Sequence, residues 1–349
     1  MPYRFKVNEP IKDGFRRIAR EQIDASLAEL SGSDVGAKNV HECRKSLKRL
    51  RALMRLAANA LGEGKARRRT KSLGEIAKLL SARRDQTVMI ETIDKLSKDD
   101  PGAMAALTPL KASLAANNDD APETLAADIA AKARVLLLRE AKKFARAPFG
   151  KRGFAALAGG LEASYRKGRK AAIYAYEEPT DDNFHDLRKA VQWHWRQMSL
   201  LSKAWPEEFA VRVHAARELS QLLGDDHDLA MLVAATARSG TMSIEEKDAA
   251  VAVCRHQQAI LRATAEYRAR RMFAEKPKAF VGRVGAYWRC SRSLDPRLEV
   301  PAPARQVPVA EQPASTEGDG NIGSTEKRVA AKPRLATKSE QPARSQRRA

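Results

Sequence analysis

Two segments of the chain set a histidine three residues before an Arg-Lys pair and then run on as amphipathic stretches: VHECRKSLKRLRALMRL at 40–56 and FHDLRKAVQWHWRQMSL at 184–200. These residue types bind anions. Histidine can donate a hydrogen bond to a phosphate oxygen, arginine can grip two oxygens with its planar fork, and lysine adds point charge with little geometric demand. On a helical wheel turning about 100° per residue from His41, Arg44 falls near 300°, Lys45 near 40°, Lys48 near 340°, Arg55 near 320° and Arg49 near 80°, with Arg51 at the edge near 280°. Cys43, Leu47, Leu50 and Met54 gather between about 180° and 240°. One side is expected in a core, and the other is nearly all cationic. Glu42 is the one acidic residue close by, and the wheel directs it elsewhere. Like charges crowded on one face repel at i, i+4 spacing and destabilise a helix. A bound anion would relieve that repulsion. A solvated face is the ordinary reading of a basic run, but the charge density and its recurrence weigh against it here.

The second segment keeps His185, Arg188 and Lys189. Gln192, Trp193 and Trp195 stand where the first has Lys48, Arg49 and Arg51, and Arg196, near 20°, returns one charge. The tryptophans are expected to pack in the core or between bundles rather than to stack on bases. The two segments lie 144 residues apart, and LLSARRDQTVM (79–89) matches LLGDDHDLAML (222–232) at an offset of 143, aligning Asp85 with Asp228. Arg69 aligns with Arg212. Matches in the same order at nearly the same offset predict two related helical bundles about a pseudo-two-fold axis, the first repeat at about 10–147 and the second at about 154–290.

The elements that must carry these residues read as helices throughout. Apolar residues recur at helical spacing in 11–30, 39–61, 66–96, 123–147, 154–176, 181–203, 207–237 and 243–274, with a last helix over 277–290. Breaks fall at 31–36, 99–102, 148–150, Pro179 and 239–240. No alternating strand pattern competes, so the fold class is all-α, with one helical domain over 1–290. Residues 291–349, rich in Pro, Ala, Ser, Gln and Gly and without apolar period, are expected to form a disordered basic tail.

The formal net charge is +21, and residues 291–349 carry 11 basic and 7 acidic residues, so most of the excess lies in the helical body. Such a body repels itself unless an anion neutralises it, which leaves nucleic acid, an anionic membrane surface or a phosphate polymer as candidate partners. Cys43, Cys254 and Cys290 are far apart and in no ligand spacing, so neither a disulfide framework nor a zinc site is expected. The N-terminal residues hold no apolar h-region and no run approaches 18 apolar residues; no signal peptide and no membrane insertion are expected, and residence is read as cytoplasmic. No nucleophile elbow, P-loop or dinucleotide fingerprint occurs, and Gly159–Gly160 and Gly282/Gly285 are too sparse to cradle phosphates. His227-Asp228 spells an HD dyad, but two residues do not make a metal site; the blander reading is a helix start at GDDHDL. No catalytic residue, cofactor or metal is expected.

These segments resemble the CHAD family, the conserved histidine α-helical domain. The resemblance covers roughly residues 3–290 and is carried by both histidine segments together with YRKGRKA (165–171), SARRDQTVMIETI (81–93), LLGDDHDLAML and FAEKPKAFVGRVGAYWR (273–289). It implies a two-bundle helical domain that binds inorganic polyphosphate. Carried over by position, its basic contacts would be His41, Arg44, Lys45, Lys48 and Arg49, then His185, Arg188 and Lys189, with Arg169, Lys170 and Lys276 as additions. The wheel adds Arg51, Arg55 and Arg196 to this face. Asp85 and Asp228 would orient basic side chains. The E-x-E-x-K motif of the triphosphatases that accompany some such domains does not occur here. The expectation is a non-catalytic polyphosphate-binding module, possible at polyphosphate granules, with a nucleic-acid-binding helical protein as the alternative.

Overall fold

The computed structural model describes residues 3–32, 35–80, 84–98, 100–116 and 125–294, the side chains of 84–87 excepted. The tail expected to be disordered falls almost wholly outside these residues. Among the described residues there is no strand, and the fold is all-α.

The helices are α1 (Ile11–Glu29), α2 (Ala37–Leu56), the short α3 (Ala58–Leu61), α4 (Glu63–Leu79), α5 (Arg84–Ser97), α6 (Pro101–Ala116), α7 (Ala127–Ala145), α8 (Ala155–Glu177), α9 (Asp181–Leu201), α10 (Pro206–Arg238), α11 (Ile244–Met272) and α12 (Pro277–Ser293). Their ends follow from local chemistry. Thr180 caps α9, its hydroxyl accepting from the Asn183 N–H at 3.2 Å. Ser243 and Glu246 close a reciprocal capping box on α11. Pro206 and Pro277 open α10 and α12, where the missing N–H would have no partner anyway.

Three differences from the sequence reading have physical causes. Residues 66–96 are two helices, α4 ending at Leu79 and α5 starting at Arg84, with no Gly or Pro at the break. The reading passed over α6 because Pro101-Gly102 read as a turn and Pro109 lies inside the helix. GDDHDL is no helix start: it lies well inside the 33-residue α10.

The main core crosses the chain halves. Phe15, Ile18 and Ile23 of α1 and Leu47, Leu50 and Leu53 of α2 join Leu157 and Leu161 of α8 and Leu187 and Val191 of α9. A smaller core joins Met89 and Ile93 of α5 and Leu107 and Leu110 of α6 to Leu229 and Leu232 of α10 and Cys254 of α11. Helices from one half of the sequence thus bury their apolar faces against helices of the other. The N-terminus of α9 is tied down by charge: Arg262 of α11 reaches Asp181 and Asp226, each at 2.6 Å, and Asp226 is buried.

Candidate functional site

Helix α2 sends Cys43, Ser46, Leu47, Leu50, Leu53 and Met54 into the core. Its cationic side is only partly solvated. His41 and Lys48 are exposed, whereas Arg44, Lys45, Arg49, Arg51 and Arg55 are half-buried. Glu42 does not point elsewhere: its carboxylate meets Lys45 Nζ at 2.9 Å. Helical neighbours three apart meet across the modest wheel gap between them. Asp186 and Lys189 make the same contact at 3.0 Å in α9. Both pairs lie at the surface, where such contacts have small net worth.

The two histidine helices pack on one another. The Arg55 guanidinium lies 3.5 Å from the centroid of the Trp193 ring. Arg49 donates from Nη1 to Gln22 Oε1 at 3.2 Å and lies over the Tyr3 ring, whose hydroxyl donates to the Arg49 carbonyl. Arg196, expected on the open face, is buried at 8 % exposure. It donates from Nη1 to the Gln192 carbonyl at 2.8 Å and stacks on Trp195. The wheel could not anticipate this, because it gives the direction in which a side chain leaves the helix and not the rotamer that folds it back or the chain packed around it.

These guanidiniums act on one another. Burial pulls Arg55 down to about 10, helped by the charge of Arg51. Burial also pulls Arg196 down to about 10; Tyr3 opposes the shift, while Arg49, Arg188 and Arg51 add to it. Burial lowers Arg51 as well. Arg55 and Arg196 remain charged at neutral pH. Among the described residues no carboxylate bears on Arg51 or Arg55. The buried Nε atoms of Arg51, Arg55 and Arg188 have no hydrogen-bond partner among them either. A desolvated donor left unmatched destabilises a fold by about 1–3 kcal/mol.

Arg188 differs in having acidic neighbours. Burial lowers it, and Asp228, Asp225 and Asp226 of α10 oppose the shift. Arg188 also reaches close to α10 at Gly224, where a Cβ would lie in ordinary contact, 3.7 Å from Arg188 Nη2. Asp228 thus sits where it can act on a basic side chain. The side chain of Asp85 lies outside the described residues.

The HD dyad has a packing role. The His227 ring stacks on His185 with centroids 4.3 Å apart. Asp226 turns inward to Arg262. Among the described residues no three His, Cys, Asp or Glu side chains group to hold a metal ion. Burial, then Arg188, His185 and Lys189, push His227 down to about 4, with Asp181 opposing. Burial, then Lys189 and Arg188, also lower His185 against Asp186 and Asp182. His194 is fully buried, accepts at Nε2 from Arg212 Nε at 3.0 Å, and is held well below the usual imidazole range by burial and Arg212. An imidazole whose folded pKa lies below its unfolded value of about 6.5 binds fewer protons when folded, so stability is complete above that value and falls as pH drops through the window below it. The melting temperature is therefore expected to decline from about pH 6.5 towards 4, and to decline less in His227→Gln. Thermal unfolding followed by circular dichroism across that range would read this; an identical slope in the variant would show that His227 does not titrate there.

The YRKGRK segment divides. Tyr165 and Gly168 of α8 are buried. Arg169 donates from Nη1 to the Glu275 carbonyl at 3.4 Å and lines a cavity of about 470 Å³ between α8 and α11. Lys170 is exposed on α8, and Lys276 is exposed at the start of α12. Lys167, roughly 200° around α8 from Arg169, instead reaches the Trp193 ring at 5.4 Å. Arg217 of α10 lies 5.1 Å from the Trp195 ring. Sequence reasoning missed both. For Lys167 the buried Tyr165 and Gly168 supplied a usable phase; for Arg217 no local signal existed.

Fold and site together define an all-helical protein in which an arginine-rich helix packs on a second helix of like pattern and fewer charges, with guanidiniums of both partly desolvated. A family model described as CHAD domain matches residues 17–237. The chain belongs to the CHAD-domain family. Among solved structures it is similar to PptA from Streptomyces chartreusis, with 16% identity and a TM-score of 0.52 over 76% of this chain and 100% of that one, a likeness of fold. Comparison with curated proteins gave no match.

Proposed function

We propose that this protein binds inorganic polyphosphate on the paired α2 and α9 face and performs no catalysis. One observation carries the reading: Arg51 and Arg55 are partly desolvated, repel one another, and have no carboxylate acting on them among the described residues. A fold maintains such an arrangement at a loss of stability, and a polyanion laid along it would reverse the loss. Membership of the CHAD family supports phosphate polymer as that anion. A flexible chain of phosphates fits a surface where arginine forks come from two helices, because each unit can turn to meet a different donor. Association with polyphosphate granules follows from the same reading.

Nucleic acid remains the rival, since it carries the same charge on its backbone. The aromatic rings beside the site argue against it. Trp193 is 9% exposed and lies beneath Arg55, so it offers no platform for a base. In a competition titration, labelled long-chain polyphosphate is expected to resist displacement by single-stranded RNA and by duplex DNA at equal phosphate concentration. Displacement by either at parity would transfer the assignment to nucleic acid.

A further inference from the structure

Resting on that reading, we propose that Lys167 of α8 and Arg217 of α10 are additional polyanion contacts, held on the surface by the two tryptophans of α9. Trp193 and Trp195 occupy the positions that match Arg49 and Arg51 of α2, so α9 lacks two charges that α2 has. Each ring is flanked by two cations. Arg55 and Lys167 lie 3.5 and 5.4 Å from the Trp193 centroid. Arg196 and Arg217 lie 4.6 and 5.1 Å from the Trp195 centroid. The charges missing from α9 itself are thereby brought in from α2, α8 and α10.

The two residues singled out are the exposed member of each pair. A cation over an aromatic face keeps its full charge and still directs N–H donors outward, and the ring limits the rotamers the side chain must give up on binding. Lys167 also lies near Asp186, whose carboxylate is taken up by Lys189 at 3.0 Å. An indole is thus a mount for a phosphate-binding cation here rather than a surface for a base.

The test is the salt dependence of binding to polyphosphate of one defined length. Removing a side chain that neutralises one phosphate lowers the slope of log K against log salt by about one unit. Lys167→Gln and Arg217→Gln are each expected to lower it by about one, and the double variant by about two. Lys167→Arg should keep the wild-type slope. Arg238→Gln is the control: Arg238 is exposed at the far end of the same helix as Arg217, about 32 Å along its axis. It should change nothing. Wild-type slopes in both Gln variants, with wild-type binding intact, would overturn this inference and leave the proposed function standing. A wild-type protein without salt-dependent binding would remove the proposed function itself.

Discussion

Gly160→Ala is expected to destabilise the protein by about 3 kcal/mol or more and to weaken polyanion binding with it. A Cβ on Gly160 would lie 2.1 Å from the Leu56 carbonyl oxygen and 2.4 Å from that of Arg55. Both are backbone atoms at the C-terminal turn of α2, and no side-chain rotamer can relieve the clash. Helix α8 would have to move away from α2, and this crossing also fixes Arg55 against Trp193 and places Lys167 over the same ring. The comparison is Gly74→Ala in α4, where an added Cβ meets nothing within 4 Å. That change should stabilise by up to about 1 kcal/mol, since alanine is the better helix former. Chemical unfolding of the two variants would read both effects. A Gly160→Ala protein as stable as wild type would mean that α8 and α2 are not held at this spacing.

The second large effect separates binding from stability. In Arg51→Met with Arg55→Met, two partly desolvated like charges give way to shorter, unbranched apolar side chains, and methionine packs well on an indole. If these arginines served the fold, their removal would lower the melting temperature. They have no carboxylate acting on them among the described residues, and their buried Nε atoms have no partner there. The double variant is therefore expected to melt no lower than wild type, and a few degrees higher if the repulsion is fully relieved, as when buried charges are replaced by well-packed apolar groups. Its affinity for polyphosphate should fall about 10- to 100-fold at moderate salt, with a slope lower by about two. Calorimetry and a binding titration on one preparation would measure both. A lower melting temperature with unchanged affinity would make the two arginines structural.

Much of the helical architecture was legible because apolar spacing reports one face of one helix, and that information is local. The apolar stripe of α2 was read correctly from Leu47, Leu50 and Met54. What the wheel could not supply was the surroundings. It placed Arg196 among solvent-facing cations, where the side chain is in fact buried, bonded to the Gln192 carbonyl, over Trp195 and near Tyr3. It turned Glu42 away from Lys45, although the two lie close enough to pair. Helix α6 was hidden by its prolines and by an Ala-rich sequence with little contrast between its faces. Gly160 was weighed only as a phosphate cradle; its use is to let two backbones approach, and that appears only when the partner helix is known. Lys167 and Arg217 belong to the same class, because the rings that hold them lie on a third helix.

The central claim is that the α2 and α9 face is a polyphosphate site, and an equilibrium titration of the wild-type protein with polyphosphate of defined length at increasing salt tests it most directly. The account predicts tight binding at low salt and a linear fall of log K with log salt, with a slope of several units set by the arginine, lysine and histidine contacts. Absence of binding at low salt, or an affinity indifferent to salt, would contradict it.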